Sequence, residues 1–510
     1  MLTPTEPPPL ERQSGKSAAF NSVAETPFYE QHRPDQLLLT KAVSNNALTR
    51  ASLVTRDWTP NALVISYLVF SISLYTLFTP PVLKAFWFLY LTISTYIAAV
   101  TTLEAFDSLT PLQDARKALR KVEEKEWEFA TAEGDLPCLD LVINADASQN
   151  IVLDHVHSML ERVVYPRDKL QVTVFYNETV VAENLDGQLS DIRAKHSAVR
   201  LIQAPRTGTV SMSTNIKHLL SLGSSSEITA FFECGQYPHP LGPRWAVERL
   251  VQDEKADIVQ GRRVLSSWSS TVLSSLLSIE HDMIYAVSQP GRAAMWGFGV
   301  FNGSNGYWRT SVLQNAVTTC ETPAVDGLDL GFRAFSKGAV TVHDMNVIAY
   351  ESGPTTVRTY WTTHVASARQ WALASARYTK LAFTRTPKGR RKRDIKSRLG
   401  ILSMLLLDRL GAHAIVQYFC MALGLLFTRT PRSPLDLAYL IYLPYDISIW
   451  LIVAGLFCLD ATVTIVGRAR SEFVSLWTVP IALLLYPFLL VFKAVVDLLG
   501  QAKQIIAWCG

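Results

Sequence analysis

The chain has 510 residues, of which 49% are apolar, and a formal net charge of +4. This length predicts two to four structural units, and the mean hydropathy of +0.16 is high for a purely soluble protein. The six cysteines are scattered without a C-x-x-C pair, which argues against a zinc site and against a disulfide framework.

The first 101 residues predict a tail followed by membrane helices. Residues 1–57 are rich in Pro, Ser, Thr and charges, and we expect a disordered tail there without a signal peptide. Residues 61–79 carry no charge, and residues 82–101 carry one, Lys84. Because about 20 apolar residues span a bilayer core, the two segments predict a transmembrane hairpin at 58–101. A pair of buried core helices is the alternative.

Strands and helices alternate through the middle of the chain. Residues 139–143 predict a buried strand, 149–163 an amphipathic helix and 170–176 a second strand. The alternation continues to strands at 228–232 and 258–263. We therefore expect an α/β fold with a doubly wound, mostly parallel sheet, embedded between transmembrane helices. Ligands are expected at the carboxyl ends of its strands.

Glycines and aromatic residues alternate between Trp296 and Trp308. Glycine permits close approach of the backbone, and the aromatic rings offer flat surfaces for a base or a sugar. The acidic patch 326–329 follows the loop. It indicates either a functional site or an ordinary helix with acids in its first turn.

Basic and apolar segments dominate the C-terminal part. Eight basic residues and one acid lie between Arg385 and Arg398, and spans are predicted at about 401–427, 440–466 and 473–492. A basic cluster beside a span is typical of the cytoplasmic face and could also hold anionic lipid headgroups. We expect an integral, multi-pass membrane protein with its central domain in the cytoplasm and no nucleic-acid partner.

These features divide the chain into six parts. They are a tail (1–57), a two-helix hairpin (58–101), a cytoplasmic domain with interfacial helices (102–380), a basic segment (381–400), a bundle of about three spans (401–500) and a second tail (501–510).

Four phrases carry a resemblance to a known family. They are YPRDKL at 165–170, YPHP at 237–240, VQGRR at 259–263 and FNGSNGYWR at 301–309. With them, the chain resembles the membrane-embedded family-2 glycosyltransferases, relatives of cellulose synthase, hyaluronan synthase and chitin synthase. The resemblance implies the type A nucleotide-sugar-binding fold, a UDP-sugar donor and a divalent metal, Mg²⁺ or Mn²⁺. It also implies inverting transfer to a polysaccharide or a lipid-soluble acceptor.

The chain departs from the family at acidic positions. The metal motif Asp-x-Asp is replaced by Glu233-Cys234-Gly235, which leaves one carboxylate. The catalytic base of Thr-Glu-Asp falls at Gly327, one residue after Asp326. The acidic pair that binds the nucleotide is replaced by Tyr176-Asn177, followed by Glu178.

The resemblance implies roles for ten residues in three groups and a metal site. Catalysis is assigned to Asp326 and Asp329, donor binding to Asn177, Glu178, Gly303 and Gly306, acceptor binding to Trp308, Arg369 and Trp371, and the metal to Glu233. Two interpretations stay open. One is a transferase with an altered site, in which neighbouring carboxylates substitute. The other is a catalytically inactive scaffold or regulatory subunit, associated with other subunits of a glycan synthase. A membrane transporter is a third class, which the absence of an evident repeat disfavours.

Overall fold

A computed structural model describes most of the chain from residue 47 onward. The described residues are 47–124, 128–145, 149–176, 183–203, 212–223, 226–266, 272–318, 327–354, 356–384, 393–428, 431–436, 455 and 477–509. Three candidate residues, Asn177, Glu178 and Asp326, lie outside them. So do all residues of the predicted span 440–466 except residue 455, and most of the basic cluster.

Eight strands form one sheet. They are β1 (Leu139–Ala145), β2 (Leu170–Tyr176), β3 (Val199–Gln203), β4 (Ile228–Glu233), β5 (Tyr237–Pro238), β6 (Ile258–Leu265), β7 (Gly306–Arg309) and β8 (Thr341–Glu351).

The described α-helices number fourteen in chain order. They are α1 (Ala47–Leu77), α2 (Pro80–Glu123), α3 (Gln149–Arg162), α4 (Glu183–Lys195), α5 (Met212–Ser221), α6 (Gly242–Gln252), α7 (Val272–Asp282), α8 (Gln289–Trp296), α9 (Thr310–Thr318), α10 (Gly327–Ser336), α11 (Val357–Tyr378), α12 (Ile395–Leu402), α13 (Asp408–Thr428) and α14 (Thr478–Cys509). Two π-helical segments, Met283–Ser288 and Ser403–Leu407, join α7 to α8 and α12 to α13.

The strand order is β3-β2-β1-β4-β7-β6-β8-β5. Strands β1, β2, β3 and β4 pair in parallel, and so do β6 and β8. Strand β7 is antiparallel to both β4 and β6, so β4 and β6 run in the same direction. The expected mostly parallel, doubly wound fold is therefore confirmed. Its six parallel strands end at one edge, where such sheets bind ligands.

Both faces of the sheet are covered by helices. Leu141 and Ile143 of β1 pack into one core with α3 and α6, whereas Val142 packs into the other with α5, α9 and α10. Strands buried on both faces have near-continuous apolar sequences. This explains why the strand positions could be predicted from short apolar runs.

Three stretches of the described helices are long and apolar enough to cross a membrane: Trp58–Leu77, Pro81–Val122 and Ile395–Thr428. The first two match the predicted hairpin, although α1 already begins at Ala47, within the predicted tail. The third contains the predicted span 401–427. The span expected at 473–492 overlaps α14, which packs against α1 and α13 in a second apolar core.

Helix α2 runs without a break from the apolar hairpin towards the sheet domain. It has 44 residues, which corresponds to about 66 Å at 1.5 Å per residue. Near its middle, the buried carboxylate of Glu104 accepts hydrogen bonds from Arg292 (2.9 Å) and Trp296 (3.0 Å) of α8. Helix α2 is thus attached to the helix that leads into the glycine-rich loop.

The described residues that follow the start of β6, 264–266 and 272–288, are partly buried. Strand β6 extends to Leu265, and α7 and the following π-helix place Ile279, Ala286 and Val287 in the interior.

Candidate functional site

Charged residues from three strand ends meet at the carboxyl edge of the sheet. Glu233 is the last residue of β4, Glu351 is the last of β8, and Arg263 lies two residues before the end of β6. Gln236, His281 and Tyr285 contact the same group from the turn after β4 and from the helical segment after β6. We call these six residues the edge cluster.

Arg263 and Glu351 form the centre of the edge cluster. Nε and Nη2 of Arg263 donate to the Glu351 carboxylate at 2.9 and 2.7 Å. Glu351 also accepts from Gln236 Nε2 at 2.8 Å and lies 2.9 Å from His281 Nε2. Nη1 of Arg263 donates to the Tyr285 hydroxyl at 3.1 Å. Both partners of the ion pair are therefore held in one orientation.

Burial and charged partners together shift the pKa values of the two edge-cluster acids. Burial alone would raise the pKa of Glu351, but Arg263 and His281 lower it to about 2. Burial raises the pKa of Glu233, and the charge of Glu351 adds to this, while Arg263 opposes it. Glu351 is thus ionised at neutral pH, and Glu233 is the acid that protonates more readily.

The edge cluster does not fit a divalent metal. Such a cation takes several oxygen or nitrogen ligands at about 2.0–2.6 Å. Glu233, the predicted ligand, instead has the Arg263 guanidinium 3.8 Å from its Oε2. Gly235, at the third position of the motif, has a positive φ of +81° and no ligand atom. Among the residues that the structure describes, no group of three His, Cys, Asp or Glu side chains is arranged to hold a metal ion.

Two polar side chains fix the glycine-rich loop, residues 297–305. Gln260 of β6 accepts from the Asn302 backbone N–H at 2.9 Å and donates to the Ser304 carbonyl at 3.0 Å. Asn305 donates to the carbonyls of Arg262 and Val347 at 2.9 and 3.0 Å. The loop is therefore attached to the central strands and not free to close over a ligand as a whole.

The aromatic residues in and beside this loop face the core. All five of them are buried, so they offer no open face to a base or a sugar, which corrects the sequence-based expectation. They are Trp296, Phe298, Phe301, Tyr307 and Trp308. Gly306, predicted to bind the donor, packs under the Phe301 ring, where an added Cβ would lie 2.2 Å from Cε2. The glycine is required for packing.

Gly303 and Gly327 pack against each other where the family has its catalytic base. A Cβ added at Gly327 would lie 2.2 Å from the Cα of Gly303. Gly303 itself has a φ of +105°, which glycine adopts without steric cost. An acid at position 327 therefore cannot be accommodated with the loop in this conformation. Asp326, the predicted substitute, lies outside the described residues.

Asp329, the second predicted catalytic acid, is enclosed by partners. It is 2% exposed, and its carboxylate lies 2.8 Å from Arg333 and 3.2 Å from Arg377. The Tyr378 hydroxyl donates to it at 2.6 Å. We call these four residues the Asp329 cage. It joins α10 to α11, and its carboxylate has no open side for a substrate.

The three predicted acceptor-binding residues do not come together. Trp308 is fully buried in β7, edge-to-face with Phe301 at 5.0 Å between centroids. Trp371 of α11 packs near Phe332 and lies under the Arg409 guanidinium, 5.9 Å from its ring centroid. Arg369 points to α14, with Nε 3.3 Å from Gln504. Arg409 pairs with Asp497 at 3.0 Å.

Sequence reasoning missed Arg263, His281 and Glu351 as site residues. Arg263 stood within the phrase VQGRR, which supported only the resemblance. The signal that could have found Arg263 and Glu351 is a charged residue at the carboxyl end of a buried strand.

No family model matches the chain. It is 20% identical over 240 residues to the probable glycosyltransferase YdaM of Bacillus subtilis, covering 46% of this chain and 55% of that protein. It is 25% identical over 203 residues to glucomannan 4-beta-mannosyltransferase 1 of Oryza sativa, covering 38% of each. The chain spans about half the length of the first of these relatives and less of the second. The proteins it is similar to are glycosyltransferases.

The chain is also similar to a solved structure, the mannosyltransferase PcManGT from Pyrobaculum calidifontis in complex with GDP-Man and Mn²⁺. The identity is 15% and the TM-score is 0.45, and the match covers 73% of this chain and 98% of that one.

Proposed function

We propose that the protein is an integral-membrane, family-2-type glycosyltransferase. It transfers a sugar from a nucleotide-sugar donor to a polysaccharide or a lipid-soluble acceptor, with inversion at the anomeric carbon. The observation that carries the proposal is the edge cluster. Charged side chains from β4, β6 and β8 converge at the carboxyl edge of a mostly parallel sheet, where such folds bind their ligands. The similarity to glycosyltransferases supports the same conclusion.

The proposed reaction breaks the bond between the anomeric carbon and the diphosphate oxygen. The acceptor hydroxyl forms the new bond, and the nucleoside diphosphate leaves with the electron pair. A carboxylate that accepts the hydroxyl proton typically contributes about 10²–10⁴-fold. Asp326 remains our proposal for that role, since Asp329 is fully occupied by its cage. Because the described residues do not fit a metal, no step is assigned to one.

The donor and the cellular orientation belong to this proposal as well. The resemblance favours a UDP-sugar, and the glucomannan mannosyltransferases among the relatives favour an activated mannose such as GDP-mannose. The basic segment between Arg385 and Arg398 favours a cytoplasmic sheet domain between the hairpin and the C-terminal bundle.

A donor screen with the full chain purified in detergent tests the proposal. UDP-glucose, UDP-N-acetylglucosamine and GDP-mannose would each be incubated with the protein, and both the binding of the nucleotide and the release of UDP or GDP would be measured, with and without added oligosaccharide or membrane lipid. We expect release from one donor class that increases with acceptor. Binding of none of the nucleotides by folded protein would reject the proposal.

The second candidate is a catalytically inactive glycosyltransferase-like subunit of a membrane glycan synthase. The observation that favours it is the contact between Gly303 and Gly327, which fills the position of the family's base with packed backbone. Nucleotide binding without turnover in the same screen would select this candidate. In that case Asp326→Asn should leave binding and the absence of turnover unchanged, whereas in an enzyme it should lower turnover by about 10²–10⁴-fold.

A further inference from the structure

Arg263 places a fixed positive charge where the resemblance expects a metal. Its Nη2 lies 3.8 Å from Oε2 of Glu233, which occupies the first position of the altered metal motif. A divalent cation bound to Glu233 would lie within a few ångströms of the guanidinium, since carboxylate oxygens bind such ions at about 2.0–2.6 Å. Two cationic groups at this spacing would repel each other, so Arg263 and a metal are alternatives.

The guanidinium is oriented before any ligand binds. Glu351 accepts from two of its nitrogens at 2.9 and 2.7 Å, and Tyr285 accepts from a third at 3.1 Å. The side chain is 14% exposed. Arginine forms strong, directional hydrogen bonds with phosphate, and a side chain that is already ordered loses little further entropy when it binds.

One N–H group of Arg263 remains available to an anion. The separation of 3.8 Å between Nη2 and Oε2 of Glu233 exceeds a hydrogen-bond distance. Among the described residues, Nε and Nη2 make three hydrogen bonds to Glu351 and Nη1 makes one to Tyr285. These four bonds leave at least one of the five N–H groups of the guanidinium, on Nη1, so a phosphate oxygen there would find a donor.

The other candidate ligands for a metal are already committed to the arginine. Glu351 pairs with Arg263, Gln236 and His281 together. A metal that recruited Glu351 would break these contacts and leave the buried guanidinium without its partner, which is costly.

We propose that Arg263 binds the diphosphate of the nucleotide-sugar donor in place of a divalent cation, so that this site takes its donor without metal. The inference rests on the proposed function and adds to it the residue that recognises the donor phosphates.

Binding of GDP and UDP to the full chain in detergent, measured by titration calorimetry in EDTA and in Mn²⁺, tests the inference. We expect the same affinity in both buffers. Removal of the guanidinium with its partner, by Arg263→Met combined with Glu351→Gln, should weaken binding by at least about tenfold. Glu351→Gln alone, which keeps the guanidinium, should weaken binding less than the double variant, and Arg263→Lys should give an intermediate loss.

Arg262→Met is the matched control. Arg262 is the adjacent arginine of β6, its side chain is 10% exposed, and it pairs with Asp282 at 2.9 Å instead of facing Glu233. Its binding should equal that of the wild type, and melting temperatures in detergent show which variants are folded. Binding that requires Mn²⁺, or binding that survives loss of the guanidinium in a folded variant, would overturn the role of Arg263 while leaving the glycosyltransferase proposal standing. Folded wild type that binds neither nucleotide in either buffer would reject both.

Discussion

Two acids of the chain look alike in the sequence and differ in the structure. Asp329 lies in the Asp329 cage, 2% exposed, between two arginines and a tyrosine. Glu233 lies in the edge cluster with 37% of its side chain exposed and one guanidinium 3.8 Å away. The first carboxylate has all its partners within the protein, and the second has room for a ligand. The number and distance of partners, more than the residue type, separate a structural acid from a functional one.

The largest effect that the comparison predicts is on stability, at Asp329. Asp329→Ala leaves Arg333 and Arg377 without their shared partner, and breaking a buried pair in this way costs about 3–5 kcal/mol. We expect a lower melting temperature in detergent or loss of monodisperse protein. Asp329→Asn keeps the size of the side chain and a hydrogen-bond partner for Tyr378, so this variant should lose less stability. An unchanged melting temperature for Asp329→Ala would mean that the cage is not structural.

The second prediction concerns pH and the pair formed by Arg263 and Glu351. The pKa of Glu351 in the folded protein is lowered from 4.5 to about 2. Because the pKa of Glu351 is lower in the folded than in the unfolded protein, the ionised carboxylate stabilises the fold at pH values above 4.5. This stabilisation is lost as the pH falls from 4.5 through 2. We expect the free energy of unfolding of the wild type to fall by roughly 3 kcal/mol more than that of Glu351→Gln over this pH range. Melting temperatures of both proteins between about pH 6 and about pH 2 measure it. Parallel curves for the two proteins would contradict the pairing.

Much of the fold, but little of the site, could be predicted from the sequence. Strand β2 was predicted with the observed bounds, 170–176, because a short apolar run follows a proline turn and both of its faces are buried. The aromatic loop was misinterpreted because alternating glycine and aromatic residues look the same in a cleft and in a core. Arg263 and Glu351 are 88 positions apart, so only the parallel pairing of β6 and β8 reveals that they meet.

The third prediction concerns the packed glycines. Gly327 has no positive φ, so an alanine there is allowed by its backbone, and only the contact of its Cβ with Gly303 at 2.2 Å opposes it. Overpacking of this kind typically costs about 1–3 kcal/mol, and we expect Gly327→Ala to lower the melting temperature accordingly. Gly187→Ala is the matched control, since no atom lies within 4 Å of its added Cβ. In helix α4 it should stabilise by up to about 1 kcal/mol. Equal changes in melting temperature at both positions would contradict the explanation that packing against Gly303 excludes an acidic side chain at position 327.

The smallest effect on stability is expected at Glu233. A small effect there would distinguish Glu233 from the structural acid Asp329. Glu233→Gln preserves the shape of the side chain and removes one charge of a loosely spaced, partly exposed pair, so stability should change by less than about 1 kcal/mol. Asp253→Asn is a control of similar geometry, because Asp253 is 35% exposed and lies 3.7 Å from Arg249.

The same variant separates the two roles proposed for Glu233 when GDP and UDP binding are measured by calorimetry. If Glu233 held a metal, Glu233→Gln would abolish the Mn²⁺-dependent part of nucleotide binding, because a hard cation loses its oxygen anion. If Arg263 binds the diphosphate, a negative charge beside the phosphates opposes binding by about 0.5–1 kcal/mol in water. Its removal should then tighten binding by about two- to fivefold in EDTA, because 1.4 kcal/mol corresponds to tenfold. Asp253→Asn should leave binding unchanged. If folded Glu233→Gln bound GDP and UDP more weakly than the wild type, Glu233 would instead be a metal ligand.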